Sequence, residues 1–164
     1  MKKYFVGMPS GADLVKFRNN VHKIPGGRTL ITKLISLKIP YSGSVSPDVL
    51  ALEEGFARVA IDDVRAHRNH LNSIHAMAIA NVGEVATGLA ILSRVPKEGR
   101  AILKKFTIEY LKKARGRITA EARSQPFSVS TQHEEIVLGE VTNNAGEVLA
   151  KVEALWVVGP NTVK

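Results

Sequence analysis

The chain has no cysteine. Disulfides, zinc–thiolate sites and a cysteine nucleophile are therefore excluded. Aromatic residues make up only 5% of it. No recognition-helix or aromatic ribonucleoprotein pattern is present, so the sequence argues against nucleic acid as a partner. Long hydrophobic runs are also missing. The first, Tyr4 to Met8, is broken by Gly7 and stopped by Pro9, which is too short for the apolar segment of a secretory signal. The longest, Ala76 to Leu92, contains Asn81, Glu84 and Thr87 and makes a poor membrane span. No repeat or low-complexity tract is seen. A soluble, cytoplasmic protein without a membrane partner is expected.

What is present fits one folding unit. The 164 residues are 45% hydrophobic and 23% charged, ordinary values for a globular domain with a sizeable core. The net charge of +8 is unevenly spread. Residues 1–40 carry eight Lys/Arg against one acid, and residues 97–117 carry eight against two. The two remaining segments are mildly acidic. A basic excess suits nucleic acid, anionic lipid or a phosphorylated small molecule, and it equally suits a solvated surface.

Hydrophobic spacing separates the elements. Leu14, Phe17 and Val21 predict a helix over residues 10–22 with Ser10 as its cap, and Leu30, Ile31 and Leu34 a second over 28–38, ended by Pro40. This amphipathic hairpin, residues 1–40, reads as an extension lying on a larger domain, residues 41–164. From Gly55 the period changes to two, and Ala57, Val59 and Ile61 predict a strand. A polar run follows, then a long apolar helix from about Ile74 to Ser93. Four strands come after it: Ile102 to Leu111, with Ile102, Phe106, Ile108 and Tyr110 on one face; Arg117 to Ser124; Glu134 to Thr142; and Val148 to Val158. Short connections, including a hairpin turn that uses Gly146, favour an antiparallel sheet. A helix apolar nearly all round must be buried, so the economical α+β architecture wraps the curved sheet around it.

Polar chemistry gathers at that helix. Asn72 and Ser73 are good caps, and with Ser73 as cap the N–H groups of Ile74, His75 and Ala76 lack intrahelical acceptors. Such an end can stabilise an oxyanion, although most capped helix starts bind only water. Glu84 sits among Val82, Val85, Ala86 and Leu89, where burial would raise its pKa towards that of a general base. A salt bridge to Arg58 or Arg65 is the equally open alternative. His75 and Glu84, nine residues apart, point to opposite sides and lie roughly 13 Å apart along the axis. They cannot serve one reacting atom within one chain. Two antiparallel copies of the helix in a twofold dimer could bring them together.

The strand, long helix and four-strand order, with Asn69-x5-His75-x8-Glu84 and the turn Tyr110-Leu-Lys-Lys-Ala-Arg-Gly116, resembles the PaaI-like hotdog-fold acyl-CoA thioesterases. The resemblance covers roughly residues 41–158 and is greatest to an uncharacterised thioesterase-like subgroup. It implies a homodimer, with pairing into tetramers left open, that hydrolyses an acyl-CoA at a site between subunits. It implies that Asn69 (or Asn72) orients a water, that the helix start at His75 and the Ala76 N–H bind the thioester oxygen, and that Glu84 of the neighbouring subunit is the base. The family's two glycines are Ala76 and Met77 here, and Met77 adds bulk beside the substrate. Leu103 replaces a Ser or Thr found in some members. The resemblance gives the basic segment 97–117 a use, with Arg115, Gly116 and Arg117 the best site for coenzyme A phosphates. Coenzyme A enters only as part of the substrate, and no separate cofactor or metal is expected. His67, His70 and His75 invite a metal, but spacing fixes no third ligand. A non-catalytic acyl-CoA or lipid-binding hotdog protein shares every fold feature, and a basic nucleic-acid-binding protein is the remaining class. A hotdog dehydratase fits less well, because its acid lies at a different distance from the histidine.

Overall fold

Two edges and one central helix organise the molecule, described here over residues 10–161 of a computed structural model. The apolar run Tyr4 to Met8 lies outside the described residues. Six strands form one antiparallel sheet: β1 (Asp48–Glu53), β2 (Phe56–Ile61), β3 (Gly99–Tyr110), β4 (Ile118–Arg123), β5 (His133–Asn143) and β6 (Val148–Pro160), in the spatial order β1-β2-β4-β5-β6-β3. The helices are α1 (Gly11–Val21), α2 (Gly27–Lys38), α3 (Pro40–Gly43) and α4 (Ala76–Leu92), with a short 3-10 turn at Arg65–His67.

Helix α4 lies in the concavity of the sheet. Twelve of its seventeen residues are buried. Ile79, Val82, Ala86 and Ala90 pack with Val59, Ile118, Val137 and Ala154 into one core, each large aliphatic side chain contributing about 1.5–3 kcal/mol. Glycines bring helix and sheet close together: a Cβ on Gly83 would stand 2.9 Å from Val152 Cγ1.

Two local irregularities depart from the sequence expectation. Strand β1 was not expected. A register shift between Val49 and Ala51 breaks its alternation, and with it the period-two signal. A second shift, between Leu103 and Lys105, reverses the faces of β3. Ile102 was expected to share a face with Phe106, Ile108 and Tyr110, but it is 52% exposed, while Ala101 and Leu103 pack against the core with Phe106 and Ile108.

The N-terminal helices close one edge of the sheet. Gly11 N–H bonds the Val95 carbonyl at 2.8 Å, which seats α1 on the end of α4. Arg18 reaches from α1 to the Val49 and Leu50 carbonyls of β1, and Thr32 of α2 donates to the Pro47 carbonyl at 2.9 Å. β1 is thus capped by side chains. Among the described residues β3, twelve residues long, pairs only with β6 and its other edge is bare. A long bare edge invites a further strand.

Candidate active site

The helix start is built by the loop before it. Asn69 Oδ1 accepts from Leu71 N–H (2.9 Å), Ser73 N–H (3.3 Å) and Ser73 Oγ (3.2 Å), and its own N–H bonds the Ser73 carbonyl. Ser73 is thereby consumed and does not cap α4. The cap is His75, whose Nδ1 accepts from Met77 N–H at 3.1 Å. An imidazole falls outside the usual capping residues, which is why the sequence points to Ser73. Ile74 N–H goes to the Ala114 carbonyl and His75 N–H to His67, while Ala78 and Ile79 N–H groups return to the His75 carbonyl. One first-turn donor is left: Ala76 N–H has no acceptor among the described residues. Tyr110, which the sequence placed on a strand face but gave no role in the site, fixes this turn from β3 by donating its hydroxyl to the Ala76 carbonyl at 2.9 Å.

An open groove of about 340 Å³ runs past this turn, lined by Asn69, Ser73, Ala76, Tyr110 and Lys113 among others. Asn69 keeps its Nδ2 donors available. Asn72 does not line the groove. It adopts a left-handed conformation (φ 53°) and accepts from Arg68 Nη1, so it shapes the turn. Between the two asparagines, the geometry favours Asn69. His67 is buried and bonded to the Asp62 carbonyl at 2.8 Å, which ties it to the loop backbone.

Glu84 stands alone. Neither Arg58 nor Arg65 reaches it, and Arg58 instead pairs with Glu121 on the outer sheet face at 2.6 Å. No ion pair or side-chain hydrogen bond holds the Glu84 carboxylate among the described residues. Burial pushes its pKa above the ordinary glutamate range. Met77, Asn81, Glu84 and Gly88 follow one another at helical spacing along one side of α4. Met77 is 56% exposed there. Asn81 Nδ2 donates to the Tyr41 carbonyl of α3 at 3.2 Å, and its Oδ1 is buried without a partner. The face is flanked on the other side by Trp156, whose Cη2 lies 3.4 Å from where a Gly88 Cβ would stand.

The three residues of Arg115-Gly116-Arg117 differ in what they hold. Arg117 is held between Asp48 and Asp62, and the Gly116 N–H bonds Asp63 at 2.8 Å. Both are committed to tying β4 to β1 and the β2 end. Arg115 has no partner among the described residues, and neither has Lys113, whereas Lys112 pairs with Glu147. Arg117→Ala should therefore cost about 1–3 kcal/mol of stability, because it removes the charge-assisted bonds that Arg117 makes to both Asp48 and Asp62. A denaturant titration checks this. Arg115→Ala should leave the midpoint unchanged.

Comparisons with known proteins agree with this architecture. The family model described as a domain of unknown function, DUF4442, matches residues 27–158. No curated protein matches by sequence. Among solved structures, one from a structural-genomics effort superposes with a TM-score of 0.79 at 24% identity, over 92% of this chain and 100% of its own. A protein of unknown function from Pseudomonas aeruginosa, described as a probable thioesterase, gives 0.70 at 22% identity, over 81% and 96%. A mutant of the phenylacetic acid degradation protein PaaI from Thermus thermophilus gives 0.62 at 21% identity, over 72% and 97%. At such identities the likeness establishes the fold, the hotdog fold of thioesterase-family proteins. The six-stranded sheet wrapped around α4 is that fold, and the chain belongs to the DUF4442 family.

Proposed function

We propose that two copies of this chain form an acyl-CoA thioesterase with two equivalent sites between them. The observation that carries the reading is the unpaired, largely buried carboxylate of Glu84 on an otherwise apolar helix. An acid held there without a cation is costly unless something else uses it. Its counterpart is the Ala76 N–H, the one unsatisfied donor of the first turn. Eight residues of helix hold the two about 12 Å apart along the axis of one chain. A second copy running antiparallel would bring them together, and the edges of the sheet favour such a copy: β1 is blocked by Arg18 and Thr32, while β3 is bare.

In this arrangement a water lies between Glu84 of one protomer and the helix start of its partner. Glu84 takes one proton of the water as its oxygen bonds to the thioester carbonyl carbon. The carbonyl oxygen becomes an anion and is held by the Ala76 N–H at the positive end of α4. Asn69 Nδ2 donates to the attacking water and fixes its direction. Collapse of the tetrahedral species breaks the carbon–sulfur bond, and Glu84 returns the proton to the leaving thiolate, giving a free acid and coenzyme A. Lys113 and Arg115, the cations beside the groove without partners, are placed to meet the phosphates of coenzyme A.

A panel of short, medium and aromatic acyl-CoAs, assayed for release of free thiol, tests the reading. At least one member should be hydrolysed above background, and light scattering should report twice the chain mass. No release from any member, or a single protomer in solution, overturns it. On the best substrate, Arg115→Ala should raise KM several-fold with kcat little changed, as expected for a contact made equally in ground and transition states.

A further inference from the structure

The N-terminal helices do more than cap β1. Among the described residues, fourteen large hydrophobic side chains remain exposed, and six of them fall within residues 17–41: Phe17, Ile24, Leu30, Leu37, Ile39 and Tyr41. Leu37 is 74% exposed and Tyr41 70%. On α2 the exposure has a direction. Ile31 is buried towards the core, while Leu30 and Leu37, seven residues apart, share the outward face, and Tyr41 is exposed on α3, which follows. Such spacing presents an apolar seam to something outside the fold.

Charge identifies the occupant. Lys33 and Lys38 flank the seam, Lys16 stands beside Phe17, and Lys23 beside Ile24. None of these four lysines makes an ion pair among the described residues. The one acid of residues 10–43, Asp13, is engaged in capping α1 through Ser10. Every exposed hydrophobe of α1, of the turn after it and of α2 thus lies within three residues in sequence of a lysine that makes no ion pair among the described residues. A nucleic acid would use the charges but leave the leucines idle. A second copy of this face would bring lysines against lysines. An anionic lipid surface uses both: the apolar side chains enter the acyl boundary, and the lysines lie along the anionic headgroups.

We propose that the α1–α3 segment docks the protein on anionic lipid bilayers. The absence of a spanning helix among the described residues does not bear on this, since an interfacial helix lies in the headgroup plane. The Tyr41 carbonyl accepts from Asn81 of α4, which ties the docked segment to the central helix. Docking is read without turnover, and it stands or falls apart from the thioesterase reading.

The test is flotation of the full-length chain with vesicles of phosphatidylglycerol and phosphatidylcholine, against phosphatidylcholine alone, at physiological ionic strength. The chain should float with the anionic vesicles only, and less at high salt. Leu30→Ser/Leu37→Ser should lower partition by about tenfold or more, and Lys33→Gln/Lys38→Gln by about fivefold per lysine. Melting temperatures should stay unchanged, because these side chains are exposed. Equal partition to both vesicle types overturns the proposal. So does a leucine variant that floats like the wild type, which would reduce the surface to a general polyanion site. So does a leucine variant that changes the oligomeric mass, which would make the seam a contact between copies.

Discussion

Glu84→Gln should lower kcat for acyl-CoA hydrolysis by about three orders of magnitude, within the range that a positioned general base supplies. The amide keeps the shape of the side chain but cannot take a proton from water. KM should stay close to that of the wild type, because the carboxylate makes its main contribution to the transition state. A non-catalytic acyl-CoA binder would show no turnover to lose, so the same variant separates the two classes. The pH profile adds a second readout. Burial raises the Glu84 pKa above its ordinary 4.5, and a second copy laid over the face would remove more water. The acid limb of kcat/KM should therefore lie above the ordinary glutamate range and vanish in the Gln variant.

Stability should move in the opposite direction. A carboxyl whose pKa is raised by folding contributes stability that is fully present below the unfolded value and lost as pH rises through the folded value. At neutral pH, Glu84 is therefore a burden on the native state. The Gln variant should melt at a higher temperature than the wild type near neutrality, and the gap should close as pH falls below 4.5. A variant that is inactive and more stable cannot owe its inactivity to misfolding. Structural residues lose activity and stability together, whereas residues held ready for chemistry trade one for the other.

The sequence made these two groups visible unequally. Helix α4 is legible because it is apolar nearly all round, and β2 and β4 because their apolar residues alternate. β1 and the facing of Ile102 were lost to bulges, which spacing cannot show. The isolation of Glu84 was legible only as one of two alternatives. Arg58 was a plausible cation until its cross-strand position opposite Glu121 placed it on the far face of the sheet. The helix start was misplaced by two residues because Ser73 is bound by Asn69 and a histidine caps in its stead. The Tyr110 bond to Ala76 spans 34 residues, and local pattern carries no trace of a contact at that range. Arg117 was read as a phosphate ligand for its residue type. Asp48 and Asp62, which occupy it, are 69 and 55 residues away.

Ala76→Pro tests the other half of the site, and the helix geometry makes it an unusually clean substitution. Ala76 is the first residue of α4 after the His75 cap. Proline is favoured at that position, since its fixed φ suits the helix and the N–H it removes has no intrahelical acceptor. His75, at φ −65° and ψ 140°, already has the extended backbone that a following proline requires. The variant should thus remove the single open donor, keep the Met77-to-His75 cap, and melt close to the wild type. Loss of one oxyanion donor should lower kcat by about a hundred- to a thousandfold. Mixing then asks where the donor acts. When Ala76→Pro and Glu84→Gln chains are unfolded, combined in equal amounts and refolded, half the dimers carry one of each. If every site takes its carboxylate from one protomer and its N–H from the other, each mixed dimer has one intact site, and activity should return to roughly a quarter of the wild type. If both groups served a site within one chain, no mixture would contain an intact site, and activity would stay at the level of the separate variants. That second outcome, with both variants folded and dimeric, would refute the shared site while leaving the fold untouched.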